Sequence, residues 1–157
     1  MSGDPVTAYD VHTKPQDQSG GPGLDSAMEP AANWTQLEFW DNDGKPYLQE
    51  YEGRGLLKGK SAIITGGDSG IGRSVAILFA KEGADVTIVH LPEEESDAKQ
   101  TVKAVEKEGK KCIAMALDLK EEANCKKVID EHVKNFGKIN VLVNNSKLCL
   151  ARVCCNL

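Results

Sequence analysis

The sequence has no surplus of positive charge and no long apolar run. Its 157 residues contain 19 Lys and Arg against 24 Asp and Glu, which gives a formal net charge of -5. A protein that binds a phosphate backbone is expected to present a basic face, so we expect no nucleic-acid partner. No apolar run approaches the roughly 18 residues that a membrane-spanning helix needs. Because residues 1–5 have neither the basic start nor the apolar core of a secretory signal, we expect a cytoplasmic protein without a membrane partner.

The chain has five cysteines. An odd number, with Cys112 and Cys125 inside predicted regular elements, fits a reducing compartment better than a disulfide framework. Cys149, Cys154 and Cys155 lie near the C-terminus, but no further Cys or His has the spacing of a metal site. The last four residues have the form of a prenylation signal, yet Cys and Asn are poor at its aliphatic positions. We therefore expect neither a metal nor a lipid anchor.

Residues 1–56 precede any βα pattern, and we interpret them as an N-terminal arm. Residues 1 to about 30 are rich in Pro, Gly, Gln, Asp and Ser. Such a segment buries too little apolar surface to offset its ordering entropy, so it is expected to be disordered or extended. Residues 31–56 contain five of the chain's eight large aromatic side chains: Trp34, Phe39, Trp40, Tyr47 and Tyr51. These either pack on the chain's own sheet and helices or anchor a neighbouring subunit.

A glycine-rich turn organises the rest of the chain. Residues 61–64 form a short apolar run, three spaced glycines follow, and apolar residues recur at positions 71, 75, 78 and 79. This pattern predicts a buried strand, a tight turn and an amphipathic helix that begins near Ile71. Helix N-termini bind anions through their backbone N–H groups and dipole, so the turn is expected to hold a phosphate.

Each glycine of the turn has its own physical role. Gly66 lets the chain turn sharply out of the strand, and Gly70 has no Cβ to keep a pyrophosphate away from the backbone. Gly72 lets the helix pack close to the strand. No Gly-Lys-Ser/Thr follows, which excludes a Walker-type loop. The turn therefore predicts a pyrophosphate site, and a tight βα turn without a ligand is the alternative.

Strands and helices alternate after the turn. Residues 84–89, 111–117 and 139–143 predict a second, third and fourth strand, with helical segments between them. Such spacing implies right-handed βαβ crossovers and a parallel sheet. We therefore predict an α/β fold over residues 57–145, a partial Rossmann fold with about four parallel strands in the order 3-2-1-4 and flanking helices.

The predicted helices have apolar faces. Ala98, Val102 and Val105 mark one face of the helix after the second strand. The next helix covers residues 120–136, and its inward face is predicted to hold Cys125, Val128, Ile129, Val133 and Phe136.

The sequence Thr-Gly-x-x-x-Gly-Ile-Gly over residues 65–72 resembles the cofactor signature of the short-chain dehydrogenases/reductases. Residues 65–73 are similar to one subgroup with a long N-terminal arm, and the likeness runs from about residue 51 to residue 145. The resemblance implies a nicotinamide dinucleotide cofactor, NAD or NADP. It places the turn residues at the cofactor: Gly66, Asp68, Ser69, Gly70, Ile71 and Gly72.

Two further pairs of residues carry the same resemblance. Asp118 and Leu119 after the third strand match the family's adenine-pocket motif, and Asn144-Asn145 matches the start of its Asn-Asn-Ala-Gly. The resemblance implies that Asp118 and Leu119 lie at the adenine and Asn144 near the ribose. A helix N-cap for Asp118 and a strand-end turn for the Asn pair are alternatives that do not exclude this.

The end of the second strand normally distinguishes NAD from NADP. A carboxylate there binds the ribose 2′-hydroxyl, whereas a nearby arginine accommodates a 2′-phosphate. Here the strand ends at His90 and the nearest carboxylates are residues 93–95, which favours neither cofactor clearly. Arg73, directly after the glycines, tilts the prediction slightly towards NADP, and a solvated first-turn residue is its alternative. His90 and Arg73 are therefore candidate cofactor contacts.

The family's catalytic Tyr-x-x-x-Lys does not occur in the sequence. All three tyrosines, Tyr9, Tyr47 and Tyr51, precede the glycine turn, and none has a Lys four residues further on. In the family this Tyr exchanges a proton with the carbonyl or alcohol oxygen, so we expect no catalytic residue here and no turnover by the chain alone. Residues 146–157 also depart from the family pattern, and we interpret them as a divergent tail that follows truncation after the fourth strand.

Two functions follow from this reasoning. The first is the NAD(P)-binding portion of an oxidoreductase that reduces carbonyls or oxidises alcohols. The second is a non-catalytic nucleotide-binding or interaction protein that associates with a full-length homologue through the arm and the open sheet edge. Cofactor binding without turnover, together with co-purification of a longer homologue, favours the second.

Overall fold

The computed structural model describes residues 7–9 and 32–146 of the chain. The predictions for residues 1–30 and for the C-terminal tail therefore lie outside the described residues, except at residues 7–9 and 146. The elements in chain order are β1 (Gln36–Trp40), β2 (Pro46–Glu50), β3 (Ser61–Thr65), α1 (Gly70–Lys81), β4 (Asp85–His90), a 3-10 turn (Pro92–Glu94), α2 (Glu95–Lys107), β5 (Cys112–Ala116), α3 (Glu122–Phe136) and β6 (Val141–Val143).

The central sheet contains four parallel strands in the spatial order β5-β4-β3-β6. Counted from the glycine turn this is the order 3-2-1-4, so the predicted fold class and strand order are confirmed. The register pairs Ile63 of β3 with Thr87 of β4 on one side and Leu142 of β6 on the other. All five residues of β3 and five of the six in β4 are buried, as expected for parallel strands covered on both faces.

Helix α1 packs on the sheet through small residues. It begins at Gly70, close to the predicted start, and ends at Lys81. Ala76 is fully buried and Ala80 is 1% exposed, whereas Ile71 is 76% exposed. Ile71, one of the apolar positions that indicated this helix, thus faces solvent. The small side chains four residues apart lie on one face and let the helix approach the strands closely.

Helix α3 contacts the sheet through a narrower face than the sequence predicted. Val128 is 4% exposed and His132 is fully buried. Three residues of the predicted inward face are instead exposed: Cys125, Ile129 and Val133. The His132 ring hydrogen-bonds to Thr87 of β4, so this histidine, and not its neighbour Val133, faces the strands.

The His132 imidazole joins three elements. Its Nδ1 lies 2.8 Å from Thr87 Oγ1, and its Nε2 lies 3.1 Å from the Lys138 carbonyl oxygen. Because a carbonyl only accepts, Nε2 carries the hydrogen and Nδ1 accepts from the Thr87 hydroxyl. Burial lowers the pKa of His132, and the hydrogen bond to the Lys138 carbonyl opposes this shift in part. The buried ring is therefore a neutral link between α3, β4 and the loop before β6.

Strands β1 and β2 form an antiparallel hairpin that the sequence analysis did not predict. The rings of Phe39 and Tyr47 stack across the hairpin with 6.0 Å between their centroids. At the turn, Asp41 Oδ1 accepts hydrogen bonds from the backbone N–H groups of Asp43 and Lys45. Phe39 is 41% and Tyr47 44% exposed, so the hairpin places its aromatic residues at the surface.

The segment before the hairpin is tied to α1. The Trp34 ring lies 5.2 Å from the Arg73 guanidinium carbon, and the Trp34 carbonyl accepts a 2.6 Å hydrogen bond from the Ser74 hydroxyl. A guanidinium over an indole face is a favourable contact. For Trp34, packing on the chain's own helices is thus the interpretation that the structure supports.

The segment after the hairpin is tied to the C-terminal end of the same helix. The Glu82 carboxylate accepts hydrogen bonds from the Tyr51 hydroxyl and from the backbone N–H groups of Arg54 and Leu56, the last at 2.7 Å. These hydrogen bonds, led by the one from Tyr51, lower the pKa of Glu82. A Cβ on Gly53 would lie 1.9 Å from a carbonyl oxygen of α1, so only glycine fits there.

Within residues 7–9 and 32–146, no helix is long and apolar enough to cross a bilayer. Those same residues contain no group of three or more His, Cys, Asp and Glu side chains placed to hold a metal ion.

Candidate cofactor-binding site

A cleft of about 640 Å³ opens at the carboxyl ends of the parallel strands. Parallel α/β sheets bind ligands in this position, and cofactor sites commonly measure about 300–1,000 Å³. Its walls come from the segments that follow β3, β4, β5 and β6. The lining residues are Gly66, Asp68, Ser69, Val89, His90, Leu91, Glu94, Leu117, Asp118, Leu119, Lys120, Asn145 and Ser146.

The glycine turn leaves open space where α1 begins. Gly66 and Gly70 have φ of 62° and 52°, in the left-handed region that favours glycine. A Cβ on Gly70 would meet no atom within 4 Å, whereas one on Gly72 would lie 1.9 Å from the Gly66 carbonyl oxygen. The predicted sharp turn at Gly66 and close helix packing at Gly72 are therefore confirmed. The space at Gly70 fits a group that approaches the backbone.

Arg73 supports the turn from inside the protein. It is 4% exposed, and its Nε and Nη2 donate hydrogen bonds of 2.9 and 2.6 Å to the Asp68 carbonyl. The Thr101 hydroxyl donates to the same oxygen at 2.9 Å, and Arg73 Nη2 also donates to the Asp97 carbonyl at 3.0 Å. The guanidinium thus faces the protein interior, so its position gives no support to the slight preference for NADP that the sequence suggested.

The end of β4 brings a carboxylate into the cleft. Glu94 Oε2 accepts a 3.0 Å hydrogen bond from the Leu91 N–H, and His90 Nδ1 lies 2.8 Å from the Leu91 carbonyl oxygen. Burial is the main cause that raises the pKa of Glu94; the charges of Asp68 and Glu93 add to the shift, and the Leu91 N–H opposes it. The sequence analysis made His90 a candidate cofactor contact and noted the carboxylates at residues 93–95, but it did not assign Glu94 to the site. The available signal was spacing, since a Glu three residues after the first turn residue caps the turn.

Another part of the cleft wall follows β5. Asp118 and Leu119, which the resemblance placed at the adenine, line the cleft. Asp118 Oδ1 accepts a 2.9 Å hydrogen bond from the Lys120 N–H, and the Asp118 carbonyl accepts one from the Asn124 side chain. The residue that precedes α3 is Glu121, so Asp118 stabilises the turn and is not the helix N-cap.

The second asparagine after β6, not the first, lines the cleft. Asn145 Nδ2 donates a 2.9 Å hydrogen bond to the Gly66 carbonyl, and its backbone N–H donates to Thr65 Oγ1 at 3.0 Å. Asn144 is exposed and does not belong to the lining. Asn145 therefore joins the segment after β6 to the glycine turn. The sequence analysis chose Asn144, but the motif contains both asparagines and does not distinguish which of them lines the cleft.

These features together define a class of protein. A glycine-rich βα turn, the strand order 3-2-1-4 and a cleft at the carboxyl ends of the parallel strands are the marks of a dinucleotide-binding Rossmann fold. The family model for short chain dehydrogenases matches residues 60–152. The chain belongs to the short-chain dehydrogenase family.

Individual proteins agree with this assignment. The chain is 45% identical over 133 residues to "Uncharacterized oxidoreductase YhdF" of Bacillus subtilis, an alignment that covers 85% of the chain and 42% of the relative. A short chain dehydrogenase from Mycobacterium paratuberculosis bound to NAD has a TM-score of 0.55 and 31% identity over 59% of this chain and 38% of that one. A short chain dehydrogenase from Burkholderia cenocepacia J2315 in complex with NADP has a TM-score of 0.56 and 34% identity, with the same coverage. The chain spans less than half the length of these proteins.

Proposed function

We propose that the chain binds NAD or NADP in the cleft as the cofactor-binding portion of an oxidoreductase that reduces carbonyls or oxidises alcohols. The observation that carries this proposal is the open space at Gly70, directly beside the start of α1. Ile71 and Gly72 belong to the first turn of α1, in which backbone N–H groups have no intrahelical acceptor. A pyrophosphate at Gly70 would accept hydrogen bonds from such groups and oppose the positive end of the helix dipole.

The proposed contacts run along the cleft from the turn. Gly66, Asp68 and Ser69 surround the pyrophosphate together with the first turn of α1. Asp118 and Leu119 border the adenine. Near the ribose we propose Asn145 in the cleft wall and Asn144 beside it, since only Asn145 lines the cleft in this structure.

Turnover requires groups beyond those of this sequence. When bound, a nicotinamide would supply the hydride in carbonyl reduction or accept it in alcohol oxidation, and a protein group would have to donate or remove the proton at the carbonyl or alcohol oxygen. No Tyr in the sequence has a Lys four residues after it, and loss of a positioned acid or base lowers a rate by about 10² to 10⁴. We therefore propose that the 157-residue chain binds cofactor without efficient catalysis.

The test compares two glycines of similar backbone conformation. Gly70 and Gly109 have φ of 52° and 73°, and a Cβ on either meets no atom within 4 Å. Replacement of each by Ala should cost about 1 to 2 kcal/mol of stability, because both stay left-handed. Only Gly70→Ala should also weaken NADH binding, by about tenfold or more, since its Cβ would occupy the space proposed for the pyrophosphate.

Isothermal titration with NADH and NADPH, with urea unfolding of each variant, measures both effects. Binding of neither dinucleotide by the native sequence contradicts the proposal. Equal losses of affinity in Gly70→Ala and Gly109→Ala would show that the loss comes from lower stability of the fold, and would contradict a pyrophosphate site at Gly70.

We also propose that the hairpin contacts a second subunit, which is either another copy of this chain or a longer homologue. Its support is the exposure of large apolar side chains on one small element: Leu37, Phe39, Trp40 and Tyr47 are 41 to 56% exposed. Large aromatic residues in exposed clusters are typical of subunit anchors.

A further inference from the structure

The backbone carbonyl of Asp68, in the middle of the glycine turn, accepts three hydrogen bonds from the protein interior. Arg73 Nε and Nη2 lie 2.9 and 2.6 Å from it, and the Thr101 hydroxyl lies 2.9 Å from it. Because a peptide unit is planar and trans, the N–H of Ser69 points the opposite way from this carbonyl. The interior donors therefore fix the direction of the Ser69 N–H at the point where Ser69 lines the cleft.

A buried carboxylate on α2 keeps the Arg73 guanidinium in this orientation. Nη2 lies 3.7 Å from Asp97 Oδ1 and donates a 3.0 Å hydrogen bond to the Asp97 carbonyl. Asp97 is 1% exposed and Arg73 is 4% exposed. A buried ion would be left without compensation if either side chain moved away, which is strongly unfavourable. The edge of the guanidinium is thus held against the glycine turn.

The flat face of the same guanidinium is covered from outside the βα fold. The Trp34 ring lies 5.2 Å from the guanidinium carbon, and the Ser74 hydroxyl donates a 2.6 Å hydrogen bond to the Trp34 carbonyl. A guanidinium that stacks on an indole loses water on that side, which strengthens the hydrogen bonds of its edge. Trp34 belongs to the segment before β1, so a contact of the N-terminal arm shields the donors that hold Asp68.

We propose that Trp34 regulates cofactor affinity as a positioning residue that acts through Arg73 from outside the cleft. The proposal rests on the proposed function, which puts the pyrophosphate at the glycine turn. While Trp34 covers Arg73, the Asp68 carbonyl stays fixed and the turn is preorganised for the dinucleotide, which lowers the cost of binding. When the arm leaves α1, water reaches the guanidinium and the ligand itself must order the turn. Docking of the arm and binding of the cofactor therefore strengthen each other.

Truncation of each tryptophan in the full chain tests this coupling. The measurement is the Kd, by isothermal titration, of whichever of NAD⁺ and NADP⁺ binds the native chain more tightly. Trp34→Ala should raise this Kd about fivefold or more. Trp40→Ala is the matched control, because Trp40 is 56% exposed and lies in β1, and it should change the Kd by less than about twofold. Urea unfolding establishes that each variant is folded during the titration. Equal changes in the two variants, or no loss in Trp34→Ala, overturn the proposal.

A second variant keeps the proposal testable if Trp34→Ala does not fold. Ser74→Ala removes the hydroxyl that holds the Trp34 carbonyl, leaves the ring and the guanidinium in the chain, and introduces a residue that favours the helix. It should raise the same Kd about twofold or more. Ser96→Ala makes the same change at an exposed position of α2 and should leave the Kd unchanged. The same Kd in both variants overturns the proposal.

An amide NMR signal distinguishes action at the turn from a purely structural role of Trp34. The Ser69 N–H shares its peptide unit with the Asp68 carbonyl, so its resonance reports the hydrogen bonds to that oxygen. This resonance should shift in Trp34→Ala, or in Ser74→Ala where that variant is used, and keep its position in Trp40→Ala. A Ser69 resonance that stays in place when the Trp34 contact is weakened overturns the route through Arg73.

Failure of this proposal is distinct from failure of the proposed function. Tight dinucleotide binding by the native chain, with the same affinity when the Trp34 contact is weakened, overturns the role of Trp34 and leaves the proposed function standing. Binding of neither dinucleotide by the native chain overturns the proposed function and the role of Trp34 with it.

Discussion

At the scale of single residues, the buried imidazole of His132 predicts how stability depends on pH. Burial lowers its pKa in the folded chain, whereas an exposed histidine in the unfolded chain titrates near about 6.5. Below that pH the unfolded chain binds a proton that the folded chain does not, so the free energy of unfolding falls as pH decreases towards the lowered value. Above about pH 6.5 the contribution of His132 is fully present.

Urea unfolding between about pH 5 and pH 8 measures this dependence. His132→Gln should flatten the slope in that range, because the titrating group is gone. Thr87→Val is the matched control: it removes the hydrogen-bond partner but keeps the buried ring, so it should lower stability and retain the slope. A slope that is the same in His132→Gln and in the native chain would contradict the prediction.

Adjacent residues show what the sequence could and could not predict at this scale. The role of Gly72 followed from its position in the turn, because close packing of a helix on its own preceding strand is a local matter. The role of Arg73 depended on Asp97 and Thr101, which are 24 and 28 residues away in sequence. Spacing along the chain does not tell whether such a side chain points towards the cofactor cleft or into the protein interior.

At the scale of elements, the hairpin of β1 and β2 was missed although its turn has a recognisable sequence. Residues 41–44 read Asp-Asn-Asp-Gly, and Asp41 accepts backbone hydrogen bonds in the way that such turns favour. The aromatic residues on either side were interpreted by composition, which does not distinguish an extended arm from paired strands. Turn chemistry, rather than aromatic content, was the informative signal.

The hairpin also predicts association. Replacement of Phe39 and Tyr47 by Ser removes the exposed ring pair and should shift the chain towards monomer by mass action, because less apolar area is buried between subunits. Leu56→Ser is the control, since Leu56 is 65% exposed and lies outside the hairpin. Sedimentation velocity over a range of concentrations measures the effect. An unchanged mass distribution in the double variant, or an equal change in the control, would exclude the hairpin as the contact.

At the scale of the whole molecule, strand order was predictable because right-handed crossovers leave few alternatives once strands and helices alternate. The sequence analysis also expected an open edge of the sheet at the fourth strand. Within the described residues, β6 pairs with β3 on one side and with no strand on the other. Leu142 of β6 is 56% exposed, and Ile129 and Val133 of α3 are 48% and 40% exposed.

Such an edge predicts marginal stability and aggregation of the 157-residue chain. Leu142→Lys should increase the soluble fraction after heating, because a charge on an edge strand opposes pairing with another chain. Leu56→Lys, at a more exposed leucine away from the sheet edge, is the control and should have little effect. Light scattering during a thermal ramp follows both variants. A sharp, cooperative melt of a monomeric native chain would contradict the prediction.

The contact between Glu82 and the segment that follows the hairpin bears on where this polypeptide can be cut. Composition placed a boundary between residues 56 and 57, but Tyr51, Arg54 and Leu56 donate their hydrogen bonds across it. A fragment that starts at residue 57 would keep the carboxylate and lose all three donors. The folded unit therefore begins at or before Tyr51. Proteolysis of the native chain should spare residues 51–56, and a gene fusion should be joined before Tyr51.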